Sequence, residues 1–178
     1  DSPAGEYKFY GYVHHPDGTL YGRNAGDFPQ FDPGVMTEGD KTYLYTGFGR
    51  YRGPGARATI LDKDMLTVVE KPHLIVPSVS YDGNELSLEE YKDHEFFEAS
   101  SIRKFNGKYY FIYSSDVCHE LCYAVSDDPL GGFKYGGIGV APHLGGAVGI
   151  GGTAAHAYGN PAKGVGETAL PAAFPGME

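Results

Sequence analysis

Phe31-Asp32-Pro33-Gly34-Val35 and, 66 positions later, Phe97-Glu98-Ala99-Ser100-Ser101 begin two stretches of the same design. In each, a phenylalanine and a carboxylate lead into an apolar run, Thr42-Tyr43-Leu44-Tyr45 in the first and Tyr109-Tyr110-Phe111-Ile112-Tyr113 in the second. Recurrence at a fixed spacing is the sequence signature of a repeat architecture. The two stretches therefore predict two copies of one β-rich unit.

A second match supports the same period. Residues 1–11 (DSPAGEYKFYG) align without a gap with residues 127–137 (DDPLGGFKYGG), 126 positions later, which is two periods of about 63. Repeats of this length, built from short strands and Gly or Asn/Asp turns, are typical of propeller blades. Common blades contain roughly 40 to 50 residues, so we expect longer loops here.

Short runs of β-branched and aromatic residues between turn residues predict the individual strands. Asn106-Gly107 predicts a type I′ hairpin turn, and Glu38-Gly39-Asp40 predicts another turn. Ser87-Leu88-Glu89-Glu90 has capping-box spacing and predicts a short helix before Glu98. We expect strands at 33–38, 42–48, 56–61, 99–105, 109–115 and 121–126.

Composition favours an all-β chain and excludes several partners. The 178 residues include 27 Gly, 15 Tyr and no Trp. The net charge of -9 repels phosphate backbones and anionic lipid, so we expect neither nucleic acid nor a membrane as partner. No apolar run approaches the roughly 18 residues of a membrane helix. The N-terminus shows no export signal, and the location, bacterial secreted or cytoplasmic, stays open.

The composition of the sequence changes near residue 141. Gly, Ala and Pro dominate residues 143–178, which contain no further copy of the strand pattern. We therefore expect a partial propeller over residues 1–140 and a tail over 141–178 that is loosely ordered or foreign to the propeller. The glycines of residues 146–151 (GAVGIG) lack the strand and helix context of a nucleotide loop, so no nucleotide cofactor is predicted.

The two cysteines, Cys118 and Cys122, flank His119. In a strand, residues four apart stand about 13 Å from each other at ~3.3 Å per residue, which is too far for a disulfide. We expect free buried thiols, rather than a metal site or a redox pair.

Asp32 and Glu98 hold equivalent positions in the repeat, each just before its first predicted strand. Equivalent positions of a propeller converge at the mouth of the central channel, so we expect the two carboxylates to face one cleft. Glycoside hydrolysis uses such a pair, about 6.5 to 9.5 Å apart in inverting enzymes. Phe96 and Phe97 beside Glu98 would raise its pKa by desolvation, as a general acid requires. The alternative, ordinary turn or salt-bridge carboxylates, stays open on the repeat alone.

Four segments resemble the five-bladed β-propellers of glycoside hydrolase family 43, which include α-L-arabinofuranosidases, arabinanases and β-xylosidases. They are Phe31 to Val35, His94 to Lys104 (HEFFEASSIRK), Tyr109 to Ser115 and Tyr123 to Ser126. The similarity runs from residue 1 to about 140. It implies an all-β fragment of a propeller, two to three of five blades, from the end of the first blade to the third.

By motif position, the resemblance implies that Glu98 is the general acid and that Asp32 tunes its pKa and orients it. The function implied is inverting hydrolysis of arabinose- or xylose-containing plant polysaccharides or oligosaccharides. The family also uses an Asp base in its first blade. We expect this base before Asp1, and therefore expect the 178-residue chain alone to be inactive. Five blades of about 64 residues need roughly 320 residues.

Further site residues are predicted with alternatives. Phe31 and Phe97 are candidate sugar platforms, although aromatics beside strands also form cores. His94 is a candidate for binding the sugar or the acid, or a structural histidine. Arg103 is expected to form an ion pair on a strand face, with substrate binding as the alternative.

No metal ligand and no cofactor are predicted for this chain. The resemblance allows one cation, at the centre of the channel in the intact enzyme. The family's His-Gly motif is absent from this chain, however, and His156, in Ala-rich sequence, is a poor substitute for its histidine. Two competing functions stay open. One is a noncatalytic carbohydrate-binding propeller, and the other is a retaining relative of transfructosidase or invertase type.

Overall fold

A computed structural model of the chain describes residues 4–50, 53–116 and 119–140. Its strands form two four-stranded antiparallel sheets, in which neighbours along the chain are also neighbours in the sheet. The all-β fold class is confirmed, and each sheet has the four-stranded meander of a propeller blade. The total of five blades stays a prediction. The first sheet contains β1 (Phe31–Glu38), β2 (Lys41–Phe48), β3 (Gly55–Leu61) and β4 (His73–Pro77), and the second contains β5 (Phe96–Phe105), β6 (Lys108–Ser115), β7 (Leu121–Ser126) and β8 (Lys134–Val140).

The two sheets correspond strand by strand, as the repeat predicts. Glu38 pairs with Lys41 across the first hairpin, and Phe105 pairs with Lys108 across the equivalent hairpin 67 positions later. Asn106 and Gly107 both have positive φ, +49° and +79°. A type I′ turn requires this conformation at both of its central residues, so the predicted hairpin turn is confirmed.

All six predicted strands are present, but β1 and β5 begin earlier than predicted, at Phe31 and Phe96. The prediction that Asp32 and Glu98 precede their strands is therefore wrong, since both lie inside them. β4 and β8 were not predicted. β4 is a short apolar run without alternation, and the glycine-rich sequence of β8 (KYGGIGV) has the composition of a loop.

Two further differences concern the ends of the repeat. The predicted helix is a single turn of 3-10 helix, Glu89–Tyr91, preceded by Leu88 with no side-chain cap, so Ser87 does not cap it. Residues 7–12 form no strand, although the residues that align with them in the repeat, 133–138, contain most of β8. β8 is held by pairing with β7, whereas no described strand pairs with residues 7–12.

A buried layer of aromatic side chains joins the two sheets. Tyr45, Phe96 and Phe111 are fully buried, and the ring of Phe111 lies 5.9 Å from that of Tyr45 and 6.1 Å from that of Phe96. At the edge of this layer, the hydroxyl of Tyr45 donates to the carbonyl of Pro129 at 2.8 Å. This hydrogen bond satisfies the polar end of the ring and allows the side chain to be buried. This packing places β5, the first strand of the second sheet, against the first sheet.

Several predictions lie outside the described residues. These are the tail of residues 141–178, the thiol of Cys118 and the environment of His156. Within the described ranges, no helix is long and apolar enough to cross a membrane.

Candidate functional site

Asp32 lies in a bulge at the start of β1. Phe31 pairs with Gly47, but the next paired residue of β1 is Gly34, opposite Tyr45. Asp32 itself has φ +42°, a conformation that is uncommon for a residue with a side chain. Bulges bend a strand and redirect side chains, and they are frequent beside active sites. The side chain of Asp32 is exposed as a result.

Glu98 lies in the equivalent bulge of β5. The pairing of β5 with β6 shifts twice around it, between Phe96 and Glu98 and between Glu98 and Ser101. Ala99, the next residue, has φ +64°. Each candidate carboxylate therefore lies where the pairing of the first strand of its sheet is interrupted.

Close packing of β1 against β5 brings the two bulges together. A Cβ added to Gly34 would lie 2.7 Å from the carbonyl oxygen of Ser100, so only glycine permits this approach. Beyond the end of β2, the backbone N–H of Gly49 donates to the carbonyl of Phe97 at 2.8 Å. Asp32 and Glu98, each two residues before one of the contacting residues, are thereby held on neighbouring strands.

The electrostatic surroundings of Glu98 favour its protonated form. Burial of the side chain raises the pKa of Glu98, and the nearby charge of Asp32 raises this pKa further. The positive charges of His119 and Arg50 act in the opposite direction, and the net effect is a raised pKa. Glu98 is therefore a carboxyl that holds its proton to higher pH than an ordinary glutamate, as a general acid must.

An aromatic pocket lies in front of Glu98. It has a volume of about 260 Å³ and is lined by Pro29, Gln30, Phe31, Phe48 and Glu98. The backbone of Phe31 is anchored by Thr46, whose Oγ1 accepts from the N–H of Phe31 at 3.0 Å and donates to its carbonyl at 2.9 Å. The pocket thus combines one carboxyl with apolar ring surface.

A larger cavity, of about 480 Å³, lies between residues 12–33 and β2. Tyr12, Tyr21, Arg23 and Gln30 are among its lining residues, but no carboxylate or histidine lines it. This cavity therefore lacks the acid and base groups of a hydrolytic site, and the pocket at Glu98 is the better candidate.

Known proteins with similar sequences bear on the family of this chain. No protein-family model matches the chain. A xylosidase/arabinosidase of Thermoclostridium stercorarium is 59% identical over 141 residues, which are 78% of this chain and 29% of the relative. A xylosidase/arabinosidase of Bacteroides ovatus is 36% identical over 138 residues, which are 64% of this chain and 42% of the relative. These relatives confirm the predicted resemblance to glycoside hydrolase family 43.

A solved structure, the α-L-arabinofuranosidase CtGH43 of Clostridium thermocellum, matches with 31% sequence identity and a TM-score of 0.46, over 67% of this chain and 35% of that chain. The chain thus spans less than half the length of each of these three proteins.

The two predicted aromatic platforms, Phe31 and Phe97, have different surroundings. Phe31 is 48% exposed and lines the pocket, with its ring 5.4 Å from that of Phe48. Phe97 is half-buried and packs between Phe48, at 5.5 Å, and His119, at 4.9 Å, with the guanidinium of Arg50 4.8 Å from its ring centroid. Phe31 thus has the open ring face, while Phe97 supports the residues beside the acid.

Sequence reasoning missed two residues that act on Glu98. Arg50, with φ +54°, follows β2, and His119, with φ +52°, precedes β7. Arg50 is held by Asp116, whose Oδ1 accepts from its Nε at 2.5 Å. Positive φ at non-glycine residues is a strained conformation that clusters at functional sites. This signal is visible only in the folded backbone, since neither residue lies in a recognisable motif.

His94 contacts a buried carboxylate and an aromatic ring. Its Nδ1 is 3.2 Å from Oε2 of the buried Glu120, and its ring stacks on Tyr135 with centroids 4.7 Å apart. His94 does not line the pocket at Glu98. These contacts agree with the structural alternative, and a role in sugar binding stays a prediction. Cys122 is a buried free thiol, as expected.

The cation that the resemblance implies at the channel centre has no matching ligand among the described residues. The five described histidines are followed by His, Pro, Leu or Glu, and never by the glycine of the family's His-Gly motif. The described part of the chain does not fit that ion, and no step proposed below passes through it. The expected ion pair of Arg103 is not found among the described residues, where its Nη1 donates to the carbonyl of Ile102 at 2.6 Å.

Proposed function

We propose that this chain is the acid-bearing part of an enzyme that hydrolyses xylose- or arabinose-containing oligosaccharides or polysaccharides. Both curated relatives carry the name xylosidase/arabinosidase. Because the chain covers 29% and 42% of their lengths, the activity is a property of the whole protein and not of these residues alone. The relatives' names favour a hydrolase over a noncatalytic binding propeller.

The observation that carries the proposal is the raised pKa of Glu98 inside an aromatic pocket. Cleavage of a glycosidic bond leaves an alkoxide on the departing sugar unless an acid protonates the bridging oxygen. Glu98, protonated at the working pH, donates that proton. Its partial burial keeps it neutral before the reaction and excludes water from the proton.

Asp32 has the second role. Its ionised carboxylate keeps the pKa of Glu98 high and, on the neighbouring bulge, fixes the direction in which the acid side chain points. In an inverting mechanism a third group, a carboxylate base, activates water on the opposite face of the sugar. The resemblance supplies that base from the first blade, so we do not assign it to Asp32.

Phe31 supplies the apolar face of the site. Its half-exposed ring, T-shaped against Phe48, presents surface to the pocket in which Glu98 lies. Sugar rings have apolar C–H faces that pack on aromatic rings, which orients the scissile oxygen relative to the acid. Phe97 contributes indirectly, by holding Arg50 and His119 in place.

The test is to replace Glu98 by Ala in the full-length protein and to measure kcat/KM on two kinds of substrate. A natural xyloside or arabinoside has a poor leaving group, so we expect a loss of about 10²- to 10⁴-fold. An aryl glycoside with an acidic phenol needs less protonation, so its loss should be much smaller. Glu95→Ala, which changes a neighbouring carboxylate outside the pocket, is the matched control and should leave both rates close to wild type.

Equal losses of Glu98→Ala on both substrates would show that Glu98 is not the proton donor. If Glu95→Ala instead produced the selective loss on natural glycosides, the acid would be Glu95. Absence of activity on every glycoside in the wild-type full-length protein would refute hydrolysis itself.

A further inference from the structure

A compact group of three potential metal ligands lies beside the candidate active site. His94 lies two residues before the start of β5, Glu120 immediately precedes β7, and Cys122 is the second residue of β7. One ligand atom from each side chain lies within 4.8 Å of the others. The Nδ1 of His94 is 3.2 Å from Oε2 of Glu120 and 4.0 Å from Sγ of Cys122.

The geometry points to a binding site for one zinc-type divalent cation, held by His94, Glu120 and Cys122. Imidazole, carboxylate and thiolate are the three ligand types that Zn²⁺ uses in proteins, at about 2.0 to 2.3 Å from the ion. Tetrahedral angles then place ligand atoms roughly 3.3 to 3.7 Å apart. The two separations from Nδ1 of His94, 3.2 and 4.0 Å, lie on either side of this range, and all three ligand atoms lie within 4.8 Å of one another. Side-chain adjustment would therefore close the three ligands around the ion.

Charge and burial favour a cation at this position. Glu120 is 6% exposed and Cys122 is 1% exposed, whereas His94 is half-buried and leaves a path to solvent. A buried carboxylate is costly unless it is paired or coordinates a metal, and a divalent ion would replace the present pairing of Glu120 with His94. One divalent ion with one carboxylate and one thiolate is neutral overall, and a soft thiolate ligand suits Zn²⁺ and not Mg²⁺ or Ca²⁺.

The surroundings of the ligands resemble those that orient metal ligands in proteins. Tyr135 stacks on the His94 ring with the two planes only 6° apart. The hydroxyls of Tyr135 and Ser115 form hydrogen bonds with the Cys122 sulfur. Partners of this kind fix ligand direction and stabilise a metal-bound thiolate.

Such an ion would stabilise the segment that leads into β7. Glu120 follows His119, whose charge acts on Glu98, and the carbonyl of Glu120 accepts from the N–H of Ser115 at 2.9 Å. The ion would tie this segment to the residues before β5. The site shares no ligand with the pocket at Glu98, so the inference does not depend on the proposed function.

The experiment is titration of the metal-free 178-residue chain, and of the full-length protein, with Zn²⁺ by calorimetry, followed by metal analysis after dialysis. We expect one Zn²⁺ per chain, a rise in the thermal midpoint, and no binding of Mg²⁺ under the same conditions. Cys122→Ser and Glu120→Gln should each weaken Zn²⁺ binding by more than the 10- to 100-fold typical of losing an outer partner. The control is His73→Gln, which changes the exposed His73–Glu70 pair and should leave the affinity unchanged.

Cobalt provides a readout that needs no variant, so a variant that fails to fold does not compromise the test. A Co²⁺ complex of the wild-type chain should show a thiolate-to-metal charge-transfer band in the near ultraviolet. The inference is wrong if this band is absent, if Zn²⁺ does not bind stoichiometrically, or if folded Cys122→Ser binds Zn²⁺ as tightly as wild type.

Discussion

Replacing Gly34 by Ala tests the contact that brings the two candidate carboxylates together. The added Cβ would lie 2.7 Å from the Ser100 carbonyl oxygen, 3.1 Å from its carbon and 3.3 Å from the Cα of Ser101. All three atoms belong to the backbone of β5, so no side-chain rotation can relieve the contact. The strands must separate, and Asp32 must move relative to Glu98.

The size of the effect follows from a comparison of two glycines. Overpacking of a tight contact costs about 1 to 3 kcal/mol. Replacing glycine by alanine also restricts the unfolded chain. This restriction stabilises the folded state by about 0.4 to 1 kcal/mol wherever the backbone conformation suits alanine. Gly131 has no atom within 4 Å of an added Cβ, and neither glycine has positive φ. Gly131→Ala therefore carries only the second effect, and the two variants should differ by about 1 to 3 kcal/mol.

The assay is urea denaturation of wild type, Gly34→Ala and Gly131→Ala, with the thermal midpoint as a second measure. We expect Gly34→Ala to unfold about 2 to 12 °C below Gly131→Ala, from about 2 to 4 °C per kcal/mol for a chain of this size. In the full-length protein Gly34→Ala should also lower kcat. Equal stability of the two variants would refute the close approach of β1 and β5 and, with it, the geometry proposed for the site.

Three further substitutions test the pKa of Glu98, in two opposite directions, and one buried hydrogen bond. Asp32→Asn removes a negative charge that raises the pKa of Glu98, so the alkaline limb of the pH profile of kcat/KM, where the acid loses its proton, should move to lower pH. Arg50→Gln removes a positive charge that lowers this pKa, so the same limb should move to higher pH, and a shift of both variants in one direction would contradict the electrostatic argument. Tyr91→Phe removes the hydroxyl that donates to the carbonyl of Phe133 at 2.6 Å, so this carbonyl loses its buried donor. Chemical denaturation should show that the free energy of unfolding falls by about 1 to 3 kcal/mol. A loss near zero would mean that water replaces the hydroxyl.

Most of the strand pattern was predictable because it depends on local properties. In β6 and β7, buried and more exposed side chains alternate along much of each strand, and this alternation is written directly in the sequence. Asn106-Gly107 is equally local, since the turn needs two residues that tolerate positive φ. β8 was missed for the converse reason: its glycines carry no pattern, and its pairing with β7 alone makes it a strand.

The candidate site divides in the same way. Asp32 and Glu98 were found because the repeat places them at equivalent positions, and the family motif assigns their roles. The contributions of Arg50 and His119 could not be found, because both lie in irregular segments that approach Glu98 only across the fold. The sequence left two roles open for His94, sugar or acid binding and a structural role, because nothing local to residue 94 reveals that its ring faces Glu120.

The sequence by itself determined that the chain is all-β, that it repeats with a period near 66, and which two carboxylates are equivalent, because alternation, turn chemistry and recurrence are properties of neighbouring residues. The tertiary structure alone decided the distances between residues far apart in the chain. It gave Glu98 its raised pKa through burial and Asp32, and it brought His94 to within 4.0 Å of the Cys122 sulfur, 28 positions away. Bulges and strand packing set these distances, and both depend on contacts between sheets that no short stretch of sequence contains.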